Sequence, residues 1–185
     1  MSAESGPVPE FSRPMAVDSL GEAPVAKQIT ANEAERAALA GRFGLLSLDR
    51  LSADLSVQRL PGKGIVRVAG RIEAEATQAC VVSLEPVSAH LNESFEQLYA
   101  LAPAAPPARE LVIDAEAEDP PEVLGPAGLD LGETVVQHFA LALDPYPRAP
   151  DAQPPAAAEQ DLEAAENLDN PFAALKDLKI SKGGE

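Results

Sequence analysis

Apolar residues repeat with a helical period in the stretch LDLGETVVQHFALALDPYP, residues 129–147. The apolar positions form one stripe and the polar positions lie opposite: Leu131, Val135, Val136, Phe139, Ala140, Ala142 and Leu143 against Glu133, Gln137 and Asp144. Asp130 followed by Glu133 is a capping-box pattern, which predicts where the helix begins. Pro145 predicts its end. We expect this helix to bury its stripe against a sheet, with Asp130, Val135 and Phe139 as structural residues.

A second helix is predicted from Ala31 to about Phe43, in the stretch ANEAERAALAGRFG. Thr30 and Glu33 have the spacing of a capping box before it. Gly44 lies where a left-handed C-cap is expected, and extended chain follows.

From Leu51 the apolar period changes to two, which is typical of half-buried strands. One face of the first strand is apolar and one face of the second is also apolar: Leu51, Ala53, Leu55 and Val57, then Val66, Val68, Ile72, Ala74 and Ala76. The turn composition PGKG at 61–64 joins them into a long hairpin. Gly70, on the inward face, indicates a bulge or a close approach of the helix.

The alternation continues with Cys80, Val82 and Leu84 on one strand face, is interrupted at Pro86, and resumes over residues 87–91. The apolar residues within 95–101 are expected to hold this segment on the core, and the pattern fits either a strand or a helix. These patterns together predict an α+β fold in which an antiparallel β-sheet meander is covered by helices.

Composition divides the chain into a folded domain with flexible acidic parts. The predicted divisions are a flexible N-terminus at 1–10, the α+β domain at 11–150 with an acidic, Pro-rich insertion at 103–126, a disordered acidic linker at 151–169 and a short helical motif at 170–179. Short strands are predicted at Phe11–Val17, where Pro14 restricts the strand to an edge, and at Glu110–Asp114.

Charge and composition narrow the classes of function. The formal net charge is −16, which opposes binding to phosphate backbones and favours basic partners. The alternative is that the charge only keeps the protein soluble. No apolar run reaches the roughly 20 residues of a membrane span, and the N-terminus lacks a signal-peptide pattern. The single cysteine permits neither an internal disulfide nor a multi-thiolate metal site. We expect a cytoplasmic protein that does not bind membranes.

No motif for catalysis is present. The sequence contains no GxGxxG, no GxxxxGK[ST] and no GxSxG, and neither His90 nor His138 belongs to a nucleophile pair. The carboxylates form solvated runs without the apolar shielding that an acid/base pair needs. Cys80 is interpreted as a small buried hydrophobe. We therefore predict no enzymatic activity, no cofactor, no metal and no small-molecule substrate.

Two sets of residues are candidates for binding. The basic side of the hairpin carries four cations that could contact RNA, although no aromatic residue interleaves them: Arg59, Lys63, Arg67 and Arg71. The motif NPFAALKDLK has Asn170 at an N-cap position and Pro171 at the first helical position. Its apolar strip and neighbouring lysines are Phe172, Leu175, Leu178, Lys176 and Lys179.

Four stretches together resemble the YceD family, the large ribosomal RNA subunit accumulation proteins. They are ERAALAGRFGLLSLDRLSADL, GRIEAEATQACVVSLEPV, DLGETVVQHFALALDPYPRAP and NPFAALKDLK, and the resemblance is strongest to alphaproteobacterial members. It implies a bacterial, non-enzymatic factor needed for accumulation or processing of large-subunit ribosomal RNA. Many members carry C-x-x-C and later cysteines resembling a zinc tetrathiolate. Here the pair is reduced to Cys80 and Ser83, which cannot supply the four good ligands that a structural zinc needs.

The sequence is compatible with three candidate functions. The first is an interaction module in ribosome biogenesis that contacts a basic ribosomal protein or assembly factor. The second is direct binding of ribosomal RNA through the hairpin, and a nuclease or hydrolase is a distant third. The terminal motif either docks on such a partner by the helix-in-groove mode or folds back on its own sheet.

Overall fold

The structure is a computed structural model that describes residues 9–62, 64–101, 120–125 and 128–153. Its elements are β1 (Pro14–Met15), β2 (Val25–Thr30), α1 (Glu33–Phe43), β3 (Ser47–Leu60), β4 (Ile65–Ala79), β5 (Pro86–Ala100), β6 (Glu122–Val123), β7 (Leu129–Asp130) and α2 (Leu131–Ala142). The two-residue period of the sequence therefore produces three long strands, β3 to β5, and the helical period produces α2.

The strands form one five-stranded sheet in the order β2-β3-β4-β5-β6 and one two-stranded sheet of β1 and β7. The large sheet is antiparallel from β2 to β5, but β6 runs parallel to β5, so the sheet is mixed. The predicted α+β class is confirmed. No helix within the described ranges is long and apolar enough to cross a membrane.

The core lies on one face of the large sheet. Val57 of β3 pairs with Val68 of β4, and neither side chain is accessible to solvent. The predicted inward residues of both strands are buried: Leu51, Ala53, Leu55, Val57, Val66, Val68, Ile72, Ala74 and Ala76. The prediction of a bulge or a close approach of the helix at Gly70 is wrong. The register is regular there, and the atoms nearest to an added Cβ belong to the neighbouring strands, with Leu55 Cδ2 at 2.4 Å and Phe95 Cε1 at 3.1 Å.

Helix α2 places Val135 and Phe139 against the sheet, and both are fully buried. Asp130 is its N-cap, as predicted, and accepts hydrogen bonds from the backbone N–H of Gly132 at 2.9 Å and of Glu133 at 3.2 Å. The reciprocal half of the capping box is not formed. Glu133 instead accepts from Arg42 Nη2 at 2.9 Å, which joins α2 to α1.

The predicted cap of α1 is wrong by two residues. Asn32, not Thr30, is the N-cap, and it forms a reciprocal capping box with Glu35. Thr30 is unavailable because it is the last residue of β2, where it pairs with Ser52. Gly44 adopts the expected left-handed C-cap at φ 64°.

The predicted strand face of Cys80, Val82 and Leu84 is also wrong. Strand β4 ends at Ala79, and residues 81–83 form a turn. Leu84, which follows the turn, is exposed and has a positive φ of 63°. Pro86 does not interrupt a strand but begins β5, a position where its missing N–H costs no ladder hydrogen bond. Strand β5 continues to Ala100, which resolves the open choice between strand and helix near Tyr99.

The first predicted strand is shorter than expected, because only Pro14 and Met15 pair, with Asp130 and Leu129. Phe11 is nevertheless a fully buried core residue. The edge strand β2 and the short β6 were not predicted. The predicted strand at Glu110–Asp114, residues 154–169 of the predicted linker and the motif at 170–179 lie outside the described residues.

Candidate interaction surface

The turn after β4 and the segment after α2 lie side by side at one end of the sheet. The Val81 N–H donates to the Pro147 carbonyl at 2.9 Å, and Gln78 Nε2 donates to the Asp144 carbonyl at 2.9 Å. Within the turn, the Cys80 N–H donates to the Glu85 carbonyl at 2.8 Å and the Leu84 N–H donates to the Cys80 carbonyl at 3.0 Å. We name residues 80–85 and 144–149 the Cys80 platform.

The Cys80 sulfur is the centre of this platform. It is inaccessible to solvent and accepts backbone N–H groups of Val82, Ser83 and Ala149, each at 3.4 Å. The Ser83 side-chain hydrogen bond, followed by the Ala149 backbone N–H, lowers the pKa of the Cys80 thiol to about 6. The prediction that Cys80 is buried is confirmed, but its sulfur is a hydrogen-bond acceptor that fastens two segments and not only a small hydrophobe.

The residues around Cys80 do not fit a structural zinc. Among the described residues, no group of three or more His, Cys, Asp or Glu side chains could hold a metal ion. Ser83 stands third after the only cysteine of the chain, and the sulfur's acceptor capacity is used by N–H groups from both segments. Hydrogen bonds from backbone N–H groups to the Cys80 sulfur and to the Pro147 carbonyl hold the two segments together.

We expect purified protein to contain no stoichiometric zinc, because one thiol cannot replace a tetrathiolate. Elemental analysis of the full chain after dialysis measures this directly. Zinc at about one ion per chain, retained after a brief chelator wash, would contradict the expectation, and Cys80→Ala would show whether the thiol is the ligand.

The platform exposes apolar side chains. Val81 is 46% exposed, Leu84 75% and Tyr146 72%. The Tyr146 N–H donates to Asp144 Oδ1 at 2.9 Å, so the backbone that carries the ring is held in place. Sequence reasoning missed this surface because it assigned Val82 and Leu84 to a strand.

The three described basic residues of the hairpin, Arg59, Arg67 and Arg71, do not all lie on one face of the sheet. Arg67 and Arg71 lie on the sheet face opposite the core, where Arg67 pairs with Glu96 and Arg71 donates to Asn92. Arg59 pairs across the strands with the buried Val66 and is therefore on the core side of β3. Lys63 lies outside the described residues. The outer face also carries Glu73, which accepts from Arg50 at 2.8 Å.

The two histidines have different surroundings. His90 is exposed on β5, where it pairs with Glu75 of β4. His138 stacks on Phe95 with ring centroids 4.2 Å apart, and burial lowers its pKa. A groove between β6 and α2 has the Tyr99 hydroxyl in its wall, but that group is already hydrogen-bonded to Thr134 Oγ1 at 2.8 Å. These contacts account for the packing of His138 and Tyr99.

The terminal candidates, Phe172, Leu175, Lys176, Leu178 and Lys179, lie outside the described residues. Their position along the chain is still informative. The described part ends at Gln153, four residues after Ala149, so the linker to the motif begins beside the Cys80 platform.

Comparison with known proteins gives one match. Residues 68–179, more than half of the chain, match the model of the family described as "Large ribosomal RNA subunit accumulation protein YceD". The matched range contains most of β4 and all of β5, α2, the Cys80 platform and the terminal motif. Neither a curated protein nor a solved structure matches the chain.

Proposed function

The chain belongs to the YceD family, and on that premise we propose that it is a non-enzymatic accessory factor that supports accumulation or processing of large-subunit ribosomal RNA. The family match carries this proposal. We further propose that the protein acts in the cytoplasm by contacting a basic ribosomal protein or assembly factor.

The net charge of −16 supports a basic protein partner over RNA. A phosphate backbone would be repelled by the excess of carboxylates, whereas a Lys- and Arg-rich protein would be attracted and steered to the domain. The basic residues of the outer sheet face do not offset this effect, since Arg50 and Arg67 are paired with carboxylates and Arg71 with an amide. An RNA-binding surface needs cations that can turn to phosphates.

Capture of partners from cell lysate, with and without ribonuclease, distinguishes the two modes. We expect the full chain to retain a basic ribosomal protein or assembly factor after ribonuclease treatment. The double variant Arg67→Gln/Arg71→Gln is expected to retain it equally. Loss of all association after ribonuclease, together with RNA affinity that falls steeply with salt and falls further in the double variant, would instead establish direct RNA binding.

The terminal motif is proposed as a tethered docking helix, with Phe172, Leu175 and Leu178 as anchors beside Lys176 and Lys179. Helices shorter than roughly 12 residues are marginal in water, so the motif needs a surface to fold on. A partner's groove supplies it, and the acidic linker keeps motif and domain at one assembly.

Deletion of residues 168–185 is expected to leave the melting temperature unchanged while lowering large-subunit ribosomal RNA in cells. The reason is that a motif engaged only by a partner adds nothing to the free domain. Deletion of residues 181–185 alone keeps the motif and is the control. A lower melting temperature would indicate that the motif clasps its own sheet, and normal ribosomal RNA with an unchanged melt would remove support for docking.

A further inference from the structure

Leu84 adopts a backbone conformation that leucine disfavours, and its side chain gains little burial there. Its φ of 63° is in the left-handed region, where a Cβ approaches the following carbonyl oxygen and where glycine is free of strain. The side chain is 75% exposed. Packing within the described part of the domain therefore gives little reason for a leucine at this position. Strained residues that persist without a packing reason are typical of functional surfaces.

The platform collects exposed apolar side chains. Six large hydrophobic residues are exposed among the described residues, and three of them are Val81, Leu84 and Tyr146. We name these three the apolar patch. They lie on two segments that are joined by the Val81–Pro147 hydrogen bond and by the Ala149 N–H to the Cys80 sulfur. The patch is thus presented on a fastened backbone, which limits the entropy lost when a partner binds.

Carboxylates stand close to the patch residues in the sequence. Glu85 follows Leu84, Asp144 precedes Tyr146 by two positions, and Asp151 follows the platform; all three are exposed. Arg148 is the one cation in these two segments. We name these three carboxylates the acidic rim. Exposed apolar side chains with carboxylates nearby in the chain are complementary to a protein with an apolar cavity and lysine or arginine around its mouth.

We propose that the apolar patch is the docking surface of the folded domain for a basic protein that receives Leu84 and Tyr146 in an apolar cavity. The inference rests on the proposed function in taking that protein to be a component of the assembling large ribosomal subunit. Tyr146 supplies an aromatic anchor, and the acidic rim steers the approach. The patch lies on the folded domain at residues 81–146, and the terminal motif follows it in the sequence at 170–179.

Leu84→Gly is the most direct test, because it removes the side chain and relieves the backbone at the same time. The melting temperature should stay equal to that of the wild type or rise. The probe is the mixture of basic proteins released from purified large ribosomal subunits by concentrated salt and treated with ribonuclease, applied to the immobilised full chain. We expect Leu84→Gly to lower retention of the bound protein by about 10-fold or more.

Val81→Ala and Val123→Ala form an exposure-matched pair, since the two valines are 46% and 47% exposed. Val123 pairs with Ala100, at the end of β5 away from the platform. Only Val81→Ala should weaken retention. Equal retention by wild type and Leu84→Gly, or retention of no basic protein by the wild type, would overturn the inference.

The same variants in cells separate the two proposals. If cells lacking the protein have reduced large-subunit ribosomal RNA and Leu84→Gly fails to restore it, both proposals are supported. If Leu84→Gly restores it fully, the patch is overturned and the proposed function stands. If cells lacking the protein have normal ribosomal RNA, the proposed function fails, and retention on the probe alone decides whether the patch binds.

Discussion

Phe139→Asp is expected to unfold the domain. Phe139 is fully buried on α2, and its ring meets that of Phe43 edge-on with centroids 5.8 Å apart. Burying an unpaired carboxylate at this position costs several kcal/mol. This cost is comparable to the free energy of unfolding of a whole domain, which is typically about 5–15 kcal/mol. Val135→Asp should have the same effect, because Val135 is also fully buried one helical turn earlier.

His138→Ala is the matched control, since His138 neighbours Phe139 on the same helix but stacks on Phe95 at the edge of the core. It should lower the melting temperature far less than either aspartate. Circular dichroism melts of the three variants provide the comparison. A ranking in which His138→Ala is the most damaging would contradict the placement of the helix on the sheet.

Gly132→Ala is expected to be the most damaging glycine-to-alanine change among the described glycines. A Cβ at position 132 would lie 2.0 Å from the Phe11 carbonyl oxygen, 2.8 Å from the Phe11 carbonyl carbon and 3.1 Å from the Arg13 amide nitrogen. These are backbone atoms, so the segment before β1 must move off α2. The move would strain the bond from the Leu131 N–H to the Arg13 carbonyl and the bond from the Arg13 N–H to Asp130. We expect a loss of about 2–4 kcal/mol.

Gly41→Ala is the control, and it should raise the free energy of unfolding where Gly132→Ala lowers it. Gly41 is inside α1, and nothing lies within 4 Å of an added Cβ. Alanine there should stabilise the helix by about 0.5–1 kcal/mol. Urea unfolding of both variants measures the difference, and similar free energies for the two would mean that the Phe11–Arg13 segment does not pack on α2.

The parts of the fold that local patterns determine could be predicted from the sequence. Strands β3 and β4 and helix α2 each have one buried face, so their periods alone indicate which residues point inward. The left-handed Gly44 was predicted for a similarly local reason. The class followed from these elements, because a half-buried sheet needs a helical cover.

The features that were missed depend on distant contacts. Both Thr30 with Glu33 and Asn32 with Glu35 have the spacing of a capping box before α1. Asn32 is the N-cap because Thr30 of β2 is paired with Ser52 of β3. The alternation at residues 80–84 is that of a strand, and the turn forms instead with hydrogen bonds to Pro147 and Ala149, more than 60 positions later. The apolar patch could therefore not be predicted from the sequence, because its residues are brought together by contacts between distant segments.

The ratio of large-subunit to small-subunit ribosomal RNA, measured in cells that lack the protein and in cells that carry the full chain again, tests the central claim most directly. The account predicts a reduced ratio without the protein and a normal ratio when the full chain is restored. An unchanged ratio in cells without the protein, during exponential growth, would contradict it.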